Sequence, residues 1–162
     1  ENNGVEVKRL QRDTPINCFV DFVSNITFES APYEGHFPHS EFTLTRTPVN
    51  EQFLKGDYMI SARQKSIRYI LEALEAESPG SFFRWNVFDT YLQQKEWFSD
   101  YIFEEKAIAF LAANPSVKAE FNELKSKDAD FSKSAFHQLY WIYKKTPYYE
   151  KEHNRIPVFR VF

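Results

Sequence analysis

Glycine is scarce in this chain, at four of 162 residues, and cysteine occurs once. So few glycines leave no loop that could cradle phosphates: "SPGS" at 78–81 is too short, and nucleotide chemistry finds no motif. One cysteine cannot form an internal disulfide. Cys18 lies in the apolar stretch "INCFVDFV", where it reads as a small buried hydrophobe rather than a nucleophile. A chain of this length buries roughly 70% of its extended surface without disulfides, so their lack does not decide the compartment. There is no uninterrupted apolar run of about 18 residues and no secretory hydrophobic region. The opening "ENNGVEV", without an initiator Met, fits a processed protein or a piece of a longer one. No charge of one sign dominates either. The net charge is −3 with the signs interspersed, and no basic stripe exists that could neutralise a run of phosphates, which argues against nucleic acid as a partner.

Aromatic residues are abundant, at 18% with seventeen Phe, and they serve either a packed core or a stacking surface for sugars, peptides or bases. The first third has the period of strands. "GVEVKRL" alternates over Val5 and Val7, and "NCFVDFVSNITFES" reads as one long strand, or two split by a bend near Ser24 and Asn25. "EFTLTRTPV" alternates until Pro48, which ends the strand or puts it on an edge, and "KGD" turns the chain into "YMISA". The period then becomes helical. Ile67, Ile70, Leu71 and Leu74 predict a helix over 63–76, stopped by "SPGS". The aromatic stretch 82–98 suggests a loop and a short helix. Ser99 caps a helix with Ile102, Phe103, Ala107, Phe110 and Leu111 on one side; Asn114 and Pro115 open another with Val117, Phe121 and Leu124. A last helix is predicted over 132–145, through Phe136, Leu139, Tyr140 and Tyr143 to a stop at Pro147. "RIPVFRVF" alternates as a closing strand over 156–162 that returns to the sheet. These elements predict one α+β domain over 1–162, with a small antiparallel sheet from residues 1–62 and the tail, packed with three to five helices from 63–147.

Metal chemistry is suggested first by "PYEGHFPHSEF" at 32–42, which gathers Glu34, His36, His39 and Glu41. Pro38 excludes a continuous helix through the two histidines, and extended backbone would put them on opposite faces, so only a bent loop could join them, with Glu34, Glu41 or His153 as a third ligand. No HExxH and no GxSxG motif occurs. Asp89, Glu96, Asp100, Glu104 and Glu105 lie among aromatics, as a glycosidase pair would, but the last three also suit the first half of a helix. "FFRWNVFD" sets Arg84 beside Trp85, with Asn86 and Asp89 near. Those residue types make an interface, a small-ligand pocket or internal packing. Trp97 and the stretch "TPYYEKEHNRIPVFRV", with Tyr148, Tyr149, His153 and Arg155, are further contact candidates.

Several segments carry a family resemblance: Pro32 to His36 followed by His39 and Ser40, "KGDYMI" at 55–60, "PGSFFRWNVFDTYLQQKEWFSDYIFEEKA" at 79–107 and "YKKTPYYEKEHNRIPVFRV" at 143–161. Together they resemble the region downstream of the catalytic domain in bacterial zinc-carboxypeptidase-like metallopeptidases, over essentially the whole chain. The family's zinc site, an HxxE pair with a later His, a substrate-binding Arg and a Glu base, cannot be placed here, because His36 is followed by Phe37, Pro38 and His39. The resemblance implies a non-catalytic accessory domain with no cofactor of its own, zinc held only in the parent's catalytic domain, that peptidase domain as an intramolecular partner, and a secreted or periplasmic location. A glycan- or peptide-binding module and a metal hydrolase built on His36 and His39 stand as alternatives.

Overall fold

A computed structural model describes residues 3–162. The chain is α+β and forms two compact units, one running to Gln93 and including Glu152–Phe162, the other Gln94–Lys151.

In the first unit, β1 (Val7–Arg9) pairs antiparallel with β4 (Tyr58–Ile60) as a small ribbon. The main sheet has the order β3-β2-β5, with β2 (Thr14–Phe28) between β3 (His39–Phe53) and β5 (Arg155–Arg160), all antiparallel. β2 holds the centre because both of its faces can be buried: Cys18 and Val20 lie on one, Asp21 and Val23 on the other, and all four are enclosed. The bend expected near Ser24 and Asn25 is a bulge inside one strand, where the register shifts between Ser24 and Thr27 and Asn25 takes φ 52°. Pro48 and Pro157 both fall on edge strands, where a missing N–H costs the ladder nothing. Val23, Ala76, Phe83 and Ile156 form the core against this sheet, with Phe42, Leu44, Phe88 and Val158 packed around them.

The predicted helix over 63–76 is shorter, α1 being Ile67–Leu74. Gln64 explains the late start. Its side chain bridges the backbone of Glu6 and Ser61, which holds residues 61–66 in turns. The aromatic stretch contains one short helix, α2 (Asp89–Leu92), and the closing strand begins at Arg155 and ends at Arg160 rather than spanning 156–162.

The second unit is helical: α3 (Asp100–Ala113), α4 (Pro115–Lys127), α5 (Ala129–Lys133) and α6 (Ala135–Tyr143). The single helix predicted over 132–145 is broken at Ser134, whose extended backbone lets its hydroxyl accept from His137 N, while Asp128 caps α5 by accepting from Asp130 N and Phe131 N. Ser99 and Asn114 sit at helix starts but make no side-chain cap. Asn114 Nδ2 instead donates to Phe110 O at 2.8 Å and closes the end of α3. Ile102, expected on the buried side of α3, faces solvent; Phe103 and Ala107 pack with Ile142 and Tyr143 as the core. Among the described residues no helix is long and apolar enough to cross a membrane.

Candidate functional site

The stretch 32–42 folds as a tight hairpin that leads into β3. Tyr33 N donates to His36 O at 2.8 Å and His36 N returns to Tyr33 O at 2.9 Å. Between them Glu34 (φ 48°) and Gly35 (φ 81°) both take left-handed backbone, which is what a two-residue turn of this hand demands. Gly35 suits that demand and Glu34 does not, so the hairpin tip carries strain.

His39 opens β3 and has no exposed surface. Its N–H donates to Arg84 O at 2.8 Å, and Arg84 Nη1 donates back to the carbonyls of His39 and Ser40 at 3.0 and 3.2 Å. This reciprocal clamp ties the start of the strand to the segment before α2. The imidazole lies between Phe28 and Phe83, at ring separations of 5.0 and 4.5 Å, with Nε2 2.9 Å from Asp89 Oδ1. That contact is an electrostatic pairing off the axis of a good hydrogen bond, and Nδ1 has no partner among the described residues.

Burial pushes the His39 pKa below its ordinary value; Asp89 opposes the shift and Arg84 adds to it. Burial likewise raises Asp89, against the pull of His39. The His39 ring has no exposed surface and is enclosed by phenyl rings, so its environment is that of a packed side chain. The nearby hydroxyls are also engaged, Ser81 Oγ with Ala76 O and Ser40 Oγ with Thr27 Oγ1. His39, Arg84 and Asp89 act as an internal brace.

Above the brace is an aromatic ledge. Half-buried Trp85 meets Tyr33 at 5.9 Å and His36 at 5.8 Å, and Tyr33 is 61% exposed. His36 Nδ1 donates to Asn86 Oδ1 at 2.6 Å, and Trp85 Nε1 donates to Pro79 O at 3.2 Å. Asn86 is itself left-handed, at φ 51°. Two segments read separately in the sequence, 32–42 and 82–89, therefore meet in one site through Arg84, Trp85, Asn86 and Asp89.

The two histidines go to different partners, His36 to Asn86 at the surface and His39 to Asp89 inside. Glu34 and Glu41 are exposed, and among the described residues no group of three or more His, Cys, Asp or Glu is placed to hold a metal ion. The remaining contact candidates lie elsewhere. Half-buried His153 and Arg155 belong to the first unit, where Arg155 pairs with Glu51 at 2.9 Å and Glu152 at 3.4 Å and lies over the Phe159 ring. Trp97, Tyr148 and Tyr149 belong to the second, where Lys106 Nζ lies over Tyr148 and Tyr149 meets Tyr143 edge-on. Cys18 is buried as expected, and burial raises its pKa.

Sequence reading passed over Tyr33, Phe28 and Phe83, which frame the site. It also passed over Asp21, 1% exposed on β2 and paired with Arg46 Nε at 2.9 Å and Arg160 Nη1 at 2.8 Å. Burial raises the Asp21 pKa, but Arg46 and Arg160 together outweigh it and leave the carboxyl below its ordinary range. Arg160 also pairs with Glu75, so this network fastens β5 to the end of α1.

The chain matches no protein-family model, no curated protein and no solved structure.

Proposed function

We propose that this chain is a non-catalytic accessory domain that packs on a zinc-carboxypeptidase-like peptidase domain, and that the ledge of Tyr33, His36 and Trp85 is the docking surface. The resemblance of the four quoted segments supplies the partner. The observation that carries the surface is the ledge itself, exposed Tyr33 against half-buried His36 and Trp85, set on two left-handed non-glycine residues and braced beneath by His39, Arg84 and Asp89. Trp and Tyr dominate the energetics of interfaces, and rings already held in place lose little freedom on binding. An extracytoplasmic location goes with the same resemblance.

The test starts from the open reading frame that contains this chain. It should encode, upstream, a domain with an HxxE pair and a later His. That domain and this chain, expressed separately, should form a one-to-one complex in sedimentation velocity. The double variant Tyr33→Ala, Trp85→Ala should weaken the complex at least ~tenfold, about 1.4 kcal/mol. The proposal fails if no such domain is encoded, if the double variant binds as well as the parent chain, or if this chain alone hydrolyses peptides in a chelator-sensitive way.

A further inference from the structure

In the first unit the sheet's ion pairs and the reciprocal clamp use Arg46, Arg84, Arg155 and Arg160. Every other Lys and Arg of that unit falls in two short stretches, 8–12 and 55–68. The whole β2–β3 hairpin parts them in sequence, which is why the charges read as interspersed. Pairing of β1 with β4 brings them together, with Lys8 opposite Met59 and Arg9 opposite Tyr58. The turn before β4 is tied to the end of β1, since Leu10 N donates to Asp57 O and Gly56 N to Leu10 O, both at 2.9 Å. Lys8, Arg9 and Arg12 from the first stretch, and Lys55, Arg63, Lys65 and Arg68 from the second, are all exposed. Among the described residues none of them pairs with a carboxylate. The carboxylates at the turn are occupied by its own backbone, Asp13 Oδ1 by Lys55 N and Asp57 Oδ2 by Leu54 N, both at 2.8 Å. Exposed Glu6 adds one opposing charge.

The same ribbon exposes large apolar side chains, Leu54 at 57%, Tyr58 at 66% and Met59 at 49%. Its turn stands clear of the rest of the unit: a Cβ placed on Gly56 would meet nothing within 4 Å. Tyr58 and Met59 are consecutive in β4 and project to opposite faces, so apolar surface is wet on both sides of the ribbon. A flat protein surface covers one face of a ribbon, whereas the interface of a bilayer closes around both. Arg9 also lies 4.3 Å over the Tyr58 ring and donates to Gly56 O at 3.2 Å. It covers the ring face on which a base would stack, and aliphatic Leu54 and Met59 offer a base nothing, which argues against nucleic acid.

We infer that the β1–β4 ribbon is a peripheral docking element for an anionic lipid bilayer. Leu54, Tyr58 and Met59 enter the headgroup boundary, and Lys8, Arg12 and Lys55 lay their stems along that apolar surface with their charged heads at the lipid phosphates. Arg63, Lys65 and Arg68 add attraction from the stretch that follows β4. The chain as a whole carries −3, so its attraction to an anionic surface is local, and this patch sets the side that faces the lipid. Binding of this kind needs no membrane-spanning helix. It does not involve the ledge of Tyr33, His36 and Trp85, so it stands or falls apart from the docking surface proposed above.

The experiment sediments the full chain with vesicles of phosphatidylcholine alone and with vesicles containing about one-third phosphatidylglycerol. The chain should pellet with the anionic vesicles and not with the neutral ones, and raising sodium chloride from about 0.1 M to about 0.5 M should release it. The double variant Lys8→Glu, Lys55→Glu should weaken binding at least ~tenfold, and Leu54→Ser, Met59→Ser at least ~fivefold. Lys118→Glu with Lys133→Glu makes the same change of charge in the helical unit and should leave binding unchanged. All of these positions are exposed, and circular dichroism checks that each variant is folded. A tryptophan introduced by Leu54→Trp should be quenched by brominated lipid, which no soluble acidic partner would do. Any of four results overturns the inference: the chain stays in solution with anionic vesicles, neutral vesicles bind it equally, the Lys118 and Lys133 pair matters as much as the Lys8 and Lys55 pair, or polyglutamate or single-stranded DNA binds more tightly than the vesicles do.

Discussion

His39 occupies a place where an imidazole can take its second proton only at a cost. Its ring is sealed between Phe28 and Phe83, and protonation would give Nδ1 a buried donor with no acceptor. The folded pKa lies below the ordinary 6.5, so in the interval beneath 6.5 the unfolded chain binds more protons than the folded one. The stability His39 contributes is therefore fully present above about pH 6.5 and is lost as pH falls through its lowered value. Asp89 works in the opposite sense. Its raised pKa means the fold favours the protonated carboxyl, so its share weakens as pH rises through that value. Urea unfolding at about pH 7.5 and pH 5.5 should show lower stability at the acid end, and His39→Gln, which cannot titrate, should flatten the difference. An unchanged pH difference in the variant would place the titrating group elsewhere. None of this pairing was visible in the sequence, because fifty residues separate His39 from Asp89 and each belongs to a different local pattern.

At the scale of elements, the hairpin at 33–36 has the right second residue and the wrong first one. Asn-Gly favours this turn, and Glu-Gly holds Glu34 in a left-handed conformation that costs a non-glycine side chain roughly 1 kcal/mol. Glu34→Asn should raise the urea midpoint by an amount equivalent to roughly 0.5–1 kcal/mol, and Glu34→Val should lower it. If Asn brings no gain, the turn is not strained as the dihedral angles imply. Elements with one dominant cause were the legible ones. Pro115 begins α4 where its ring requires, and the alternation of β2 survives the bulge at Asn25. Elements set by local competition were not. The pattern through Phe136, Leu139, Tyr140 and Tyr143 resembles one helix over 132–145, yet the Ser134 hydroxyl takes the His137 amide and starts a new one. Gln64 delays α1 through bonds to Glu6, a partner that no periodicity reveals.

For the whole molecule, the decisive fact is that the sheet-bearing unit is assembled from both ends of the chain. β5 arrives after the entire helical unit, buries Ile156 against Val23 and Phe83, and brings Arg160 to Asp21. The sequence reading anticipated that return from the alternation of "RIPVFRVF" and from the weakness of a lone strand, but not that Arg160 would meet a buried acid. A chain ended at Asn154 leaves Asp21 with one of its two guanidinium partners and removes Ile156 from the core, so its β signal in circular dichroism and its cooperative sheet melting should be lost while helical signal from 94–151 persists. A truncated chain that keeps the parent's full melting profile would show that β5 is dispensable. The discontinuity also sets a timetable during synthesis. The helical segment leaves the ribosome whole, whereas β2 waits for its second neighbour through the synthesis of residues 29–154, on the order of ten seconds at ordinary elongation rates. Throughout that wait one side of β2 offers unpaired amides to other strands, so the nascent chain is most prone to aggregate until Arg155–Arg160 emerges to cover it.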